Sequence, residues 1–239
     1  MNLLRTLLFC CLTALTFGLT TATAQTTPTA DEILDKYIAA IGGKDALQKV
    51  NDLTMTMSSE GQMGAILITR KQKLPNKFSM VINANGMEVM KQTGDGTKVA
   101  MGGMQGSRTL DGPAAQGMTM ANQLFPELHY AENGVKSTVV GTEKVDGKDT
   151  YKLSHTNADG SVTWTDNFDT QTGLKVQSVV AGRGGMQGTM TSVYQDYKET
   201  GGIKFPMTIQ QQSPRGPMTM TVDNVKINKG LKDSEFAVQ

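Results

Sequence analysis

Side chains that could do chemistry are few. There are two histidines: His129 stands beside Tyr130, and His155 closes a run in which Tyr151, Leu153 and His155 alternate. The two cysteines, Cys10 and Cys11, fall inside an apolar run from Leu7 to Leu19. No H-x-x-x-H, no G-x-S-x-G and no phosphate-cradling glycine loop occurs. A pair of carboxylates could meet in space, but nothing in their spacing singles out two of them. The residue that does recur is methionine. The chain has sixteen Met against seven Phe and one Trp. They come in M-x-M steps: "LTMTMSS" (53–59), "GMTMAN" (117–122) and "GPMTMTVDNVKI" (216–227), with "GTMTSVY" (188–194) alongside.

Three chemistries fit that pattern. Methionine fills irregular core gaps, and burying one is favourable by roughly 1.5–3 kcal/mol. Isoleucine, valine and phenylalanine would nonetheless build a strand core with less rotamer entropy lost. A face left mobile avoids that loss and adapts to apolar ligands of varied shape. Thioether sulfur also selects Cu(I), although alternation supplies one face and not a coordination shell.

The elements that must carry these residues read as follows. Residues 1–24 have one basic residue, Arg5, then the apolar run, then Ala22 and Ala24 at signal-peptidase positions. We expect a leader removed after Ala24, with neither a lipidation site nor a membrane anchor, and a single domain over 25–239. Both cysteines would leave with the leader, which excludes disulfides, thiolate nucleophiles and Cys-based metal sites. Setting Arg5 aside leaves 22 basic against 22 acidic residues. The charges are scattered, so nucleic acid is excluded as a partner.

Thr29 and Glu32 form a T-x-x-E capping box, followed by Ile33, Leu34, Tyr37, Ile38 and Ile41 on one helical face up to Gly42-Gly43. From Leu53 the period becomes two. Asn85-Gly86, Asp95-Gly96, Asp146-Gly147 and Asp159-Gly160 mark turns between strands at about ten-residue spacing. The pattern predicts a mainly β fold, an antiparallel sheet of about eleven strands curled into a barrel or half-barrel. Only 101–134 lacks alternation. It predicts a short helix over Pro113 to Leu124 and reads either as a lid or as an ordinary disordered insertion.

Four stretches in order resemble the LolA/LolB family of periplasmic lipoprotein carriers. "KLPNKFSMVI" (73–82) is similar to its basic-Pro-x-x-Phe strand entry through Pro75 and Phe78. "TGDGTKVAM" (93–101) resembles its D-G hairpin, and "TDNFDTQTGLKVQSV" (165–179) its aromatic-Asp-x-x-T-G-L turn through Phe168, Asp169, Thr172, Gly173 and Leu174. "DYKETGGIKFPMTI" (196–209) resembles the Tyr, Gly and Phe-Pro pattern of lipoprotein-sorting relatives. Two departures stand out: Leu74 occupies the place where an arginine commonly precedes the proline, and methionines replace aromatics in much of the alternation.

The resemblance implies a half-barrel covered by helices. It also implies a non-catalytic, cofactor-free, monomeric carrier in the periplasm, taking a lipid or lipoprotein acyl chains between inner- and outer-membrane handover proteins. The expected cavity residues are Met55, Met57, Phe78, Met80, Ile82, Met190, Met207, Met218 and Met220. The expected lid residues are Met118, Met120, Leu124 and Phe125. A ligand-free envelope interaction module with a filled core, or a Met-based Cu(I) binder, stays open beside it.

Overall fold

The computed structural model describes residues 27–61, 64–104, 106–160, 163–181, 188–214 and 216–238. The expected leader lies outside them. The first element, α1 (Ala30–Ile41), starts where the capping box places it: Thr29 Oγ1 accepts from the Glu32 amide at 3.2 Å, and the Thr29 amide donates to the Glu32 carboxylate at 2.7 Å. Its apolar face buries Ile33, Leu34 and Ile41. A single turn, α2 (Lys44–Leu47), follows.

Thirteen strands then form one antiparallel sheet. They are β1 (Asp52–Gly61), β2 (Gly64–Lys73), β3 (Lys77–Ala84), β4 (Met87–Gly94), β5 (Val99–Gly103), β6 (Gly106–Leu110), β7 (Lys136–Val145), β8 (Lys148–Thr156), β9 (Thr163–Asp169), β10 (Lys175–Ala181), β11 (Thr189–Thr200), β12 (Ile203–Ser213) and β13 (Gly216–Ile227). Their spatial order is β6-β5-β4-β3-β2-β1-β13-β12-β11-β10-β9-β8-β7. The sheet is open, consistent with a curled half-barrel, and β6 and β7 are its two edges. The chain between them, α3 (Gly112–Ala121) and the 3-10 turn Pro126–His129, must therefore travel from one edge of the sheet to the other. It does so across the inner face, which α1 also covers.

The count exceeds the sequence expectation chiefly because β6 lies inside the stretch read as irregular. "GSRTL" has almost no alternation to detect, and all but its last residue are exposed. As a short edge strand it needs no buried face. The expected turns form: Asn85 and Gly86 both take left-handed backbone (φ 50° and 82°), as a two-residue hairpin of this hand requires. The Asp169 turn docks on α1. Its carboxylate accepts from the Gln171 and Thr172 amides at 2.8 and 2.9 Å, and Lys36 Nζ donates to the Thr170 carbonyl at 2.6 Å. Gly173 has φ 75° there, and a Cβ would stand 2.8 Å from Lys36 Cγ.

A bulge governs which side of β13 faces inward. Leu53 and Met55 pair with Ile227 and Val225, but Met57 pairs with Val222, so Asp223 is the extra residue. Ser58 Oγ donates to its carboxylate at 2.9 Å. The inward set switches from odd numbers (Ile227, Val225) to even ones (Val222, Met220, Met218), which lets both halves of the strand bury their apolar residues.

On the outer face the C-terminal 3-10 turn Asp233–Phe236 closes over β2 and β3. Phe236 is fully buried there, and ion pairs join Lys71 to Glu235 and both Lys73 and Lys77 to Asp233. The two lysines hold the Asp233 carboxyl down to about 2.

Close packing at the inner-face end gives a test. Phe78 is 1% exposed, and a Cβ on Gly94 would come within 2.3 Å of its ring. Gly94→Ala should destabilise by about 1–3 kcal/mol through overpacking. Gly102→Ala, whose Cβ meets nothing closer than 4.0 Å, should be close to neutral. Equal chemical-denaturation midpoints for the two variants would refute the packing account.

Candidate functional site

Strand register arranges the inner face of β1 to β6 in three rows. Nearest the helices runs Leu53, Gln72, Phe78, Gly94, Val99, Leu110. Next comes Met55, Arg70, Met80, Gln92, Met101, Arg108, then Met57, Ile68, Ile82, Met90, Gly103. The first row is roofed. Phe78 and Val99 pack with Ala115 of α3, and Met118 and Leu110 lie against them. The third row joins residues from β12 and β13 in one apolar cluster. Met57, Ile68, Met220 and Val222 are its buried members, and Met55, Ile66, Met80, Ile82, Met207, Ile209, Met218 and Val225 pack around them half-buried. Every member belongs to a strand, so neither α1 nor α3 contributes to it.

The structure thus gathers seven of the nine expected cavity residues, Met55, Met57, Met80, Ile82, Met207, Met218 and Met220, into one patch. Phe78 lies in the roofed row, closed off beneath α3. Met190 stands apart on β11, 38% exposed and paired with Val180. Of the expected lid residues, Met118 packs on the roofed row and Met120 is half-buried on α3. Leu124 and Phe125 pack instead with Ile41, Leu47, Val50, Leu53, Ile203 and Phe205. They anchor the segment to α1 and β12, and of the patch methionines only Met55 packs against that cluster. Phe125 sits in left-handed backbone (φ 46°), and its ring lies 6.4 Å from that of Phe205. Two clefts lie away from the methionine patch: one of about 350 Å³ between residues 42–50 and Gly201, Ile203, Ile227 and Asn228, and one of about 90 Å³ between residues 47–50, Leu74 and residues 124–129.

Polar side chains fix the crossing segment at defined points. Gln72 Nε2 donates to the carbonyls of Asn122 and Gln123 at 2.7 and 2.8 Å. Gln123 Nε2 donates to Asn76 Oδ1 at 2.7 Å, and Gln123 Oε1 accepts from Asn133 Nδ2 at 2.8 Å. Further along, Glu127 of the 3-10 turn pairs with Lys175, which also reaches Asp166 at 3.1 Å. All three side chains are nearly or fully buried. Desolvation opposes the Lys175 ammonium, but Asp166 and Glu127 together hold its pKa well above the ordinary lysine value. Burial raises the phenols of Tyr37, Tyr194 and Tyr197 around it, and Tyr197 donates its hydroxyl to the Lys175 carbonyl at 2.9 Å.

His155 extends this cluster. Its Nδ1 is 2.8 Å from Ser137 Oγ, and its Nε2 is 3.4 Å from Asp166 Oδ2. The line Ser137–His155–Asp166 has the order of a nucleophile, base and acid, but the imidazole is fully buried. It stacks on Trp164 at 5.1 Å with Tyr130 at 5.2 Å, which closes the imidazole off from the surface. His129, by contrast, meets only Glu132, at 2.9 Å near the surface. Spacing in the sequence could not reveal the 127–166–175 cluster, because its members come together only through the crossing segment. Arg70 and Gln72 did leave a signal: they continue the inward parity of Ile66 and Ile68 in "AILITRKQK", polar where apolar was due.

Lys175→Met would leave two carboxylates buried without a counter-charge and should cost about 3–5 kcal/mol in chemical denaturation. A loss under 1 kcal/mol would show the cluster to be solvated. Burial holds His155 below its ordinary 6.5, partly opposed by Asp166. The unfolded chain therefore binds the proton more readily, and stability, complete above 6.5, falls as pH drops through it. The loss of melting temperature between pH 7.5 and 5.5 should shrink in His155→Gln; an unchanged loss would remove His155 as its source.

No family model and no curated protein matches the sequence. Solved structures do. A DUF1329 family protein from Desulfovibrio piger superposes with a TM-score of 0.60 at 15% identity, over 88% of this chain and 98% of that one. A LolA superfamily protein from Nitrosomonas europaea gives 0.58 at 15% identity, over 89% and 99%. An outer membrane lipoprotein-sorting protein domain from Vibrio parahaemolyticus gives 0.50 at 14% identity, over 86% and 94%. At such identities the likeness is one of architecture: this chain has a LolA-like fold.

Proposed function

We propose that the protein is a non-catalytic carrier that takes the acyl chains of a lipid or lipoprotein onto the methionine patch, outside the cytoplasm, for transfer towards an outer membrane. The observation that carries this is the cluster's make-up. Twelve apolar side chains from β1, β2, β3, β12 and β13 lie together on the inner face, only four of them buried, and only Met55 and Val225 among them also pack against the cluster of Ile41, Leu47 and Leu124. A contiguous apolar surface left half-open on a folded chain marks a place where something apolar docks. Covering an acyl chain is favourable by about 0.8 kcal/mol per methylene, so part of a long chain suffices for capture. Release is equally required of a carrier. Unbranched thioether side chains, free to change rotamer, accept a chain without tight complementarity and let it leave.

The likeness to a lipoprotein-sorting domain and to a LolA superfamily protein supports the reading through fold. The expected leader fits export to the periplasm, where inner- and outer-membrane handover proteins would be the partners. Among the described residues no helix is long and apolar enough to cross a membrane.

Organic extracts of the purified protein should contain acyl lipid by mass spectrometry. Met80→Lys with Met207→Lys, both half-buried positions, should weaken uptake of a neutral acyl probe at least tenfold, at a stability cost much smaller than that of Lys175→Met. Clean extracts together with no probe uptake would instead favour the ligand-free envelope module, and unaltered uptake by the double variant would move the site elsewhere.

A further inference from the structure

The row between the roofed and open parts of the inner face carries two arginines, and their placement is hard to explain by stability. Arg70 stands between Met55 and Met80, directly across the strands from each. Arg70 is half-buried as a residue, but its Nε is buried and has no hydrogen-bond partner among the described residues, where one Nη reaches only Asn122 Oδ1 at a long 3.5 Å. Neither Arg70 nor Arg108 forms an ion pair among the described residues. The lysines of this region differ: Lys71, Lys73 and Lys77 point outward and are each paired with Asp233 or Glu235. Two strands from Arg70, the Gln92 amide donates, among the described residues, only to a sulfur, Met90 Sδ at 3.8 Å. Two strands further, at the sheet edge, exposed Arg108 likewise hydrogen-bonds, among the described residues, only to Met101 Sδ at 3.6 Å.

A guanidinium has five N–H donors and stays charged, so burying it among thioethers without an anion is costly. Desolvation pulls its pKa below the ordinary arginine value, opposed by Tyr194 and Glu127. Removing such a group to a hydrocarbon of equal volume would usually stabilise a protein. Its retention is explained if an anion completes it.

We propose that Arg70 is the headgroup subsite of the carrier: it binds one carboxylate or phosphate of an acylated amphiphile, with Gln92 as a flanking donor and Arg108 drawing the anion in from the β6 edge. This rests on the carrier reading and narrows its cargo to anionic amphiphiles. The geometry suits such a molecule. The head sits at the edge of the roof, against Asn122 at the end of α3, and the tail runs over the next row, Met57, Ile68 and Ile82, onto Met220 and Val222. Arginine's planar fork matches both oxyanions with two parallel hydrogen bonds.

The test uses the full chain and displacement of Nile red, an uncharged apolar dye, by dodecanoate, dodecyl phosphate, dodecanol and inorganic phosphate. Dodecanoate and dodecyl phosphate should bind about 10–100-fold more tightly than dodecanol, the range of a charge-assisted hydrogen bond. In Arg70→Met that ratio should fall to near one, and in Arg70→Lys to an intermediate value. Arg108→Gln should lower it by less than threefold, and most at low ionic strength. Equal affinity of the acids and the alcohol for the unmodified chain would overturn the subsite and leave the carrier reading standing. Displacement by inorganic phosphate as effective as by dodecyl phosphate would make this a free-anion site and also overturn it. Dye uptake with no displacement by any of the twelve-carbon compounds would overturn both.

Discussion

One topological constraint organises this molecule: β6 and β7 occupy opposite edges of a single thirteen-stranded sheet, so the chain joining them must cross its inner face. A connection of that span carries backbone polar groups over an apolar surface, and each must find a partner. Part of the crossing is helical, which satisfies its own amides. The rest is tied by side chains: Gln72 at the carbonyls after α3, Asn76 and Asn133 at Gln123, and Lys175 at Glu127. The roof is therefore tied by polar contacts at Asn122, Gln123 and Glu127, between and beside its apolar contacts.

That distribution explains why part of the inner face stays open. Apolar residues of the segment pack at its two ends: Ala115 and Met118 onto Phe78 and Val99, Leu124 and Phe125 onto α1 and β12. Beyond them the strands gather methionine, isoleucine and valine in a cluster whose members all belong to strands. Half of that cluster is β-branched, Ile66, Ile68, Ile82, Ile209, Val222 and Val225, and the other half is methionine. Here the side chains with most rotamer freedom stand where burial is incomplete, which limits the entropy lost in the ligand-free state.

The opposite half of the sheet is built on a different principle. Glu127, Lys175, Asp166 and His155 form a buried polar chain beneath Tyr37, Tyr130, Tyr194 and Trp164. A buried ion pair adds little net stability over a hydrophobic replacement, but it penalises any arrangement that separates its members. Joining a residue of the crossing segment to two on the sheet, it sets where that segment lies. The molecule thus places its rigid polar register on β8 to β10 and its pliable apolar surface on β1 to β3, β12 and β13.

The sequence by itself determined the local elements, because their causes are local. The Thr29–Glu32 box set the start of α1, Asn85-Gly86 and Asp146-Gly147 set hairpins, and alternation set the inward parity of Met55, Met57, Met80 and Ile82. The resemblance to the LolA/LolB family likewise held at the level of fold. Tertiary structure decided the rest. The short edge strand β6 left no alternation to read, and the bulge at Asp223 changed parity within β13 through a backbone event that no residue type announces. Whether an inward residue is roofed, like Phe78, or half-open, like Met80, depends on where the crossing segment falls. The meeting of Glu127, Asp166 and Lys175 depends on the same path. Such contacts join residues far apart in the chain, and their energy comes from burial and charge pairing in three dimensions, which spacing along one dimension does not encode.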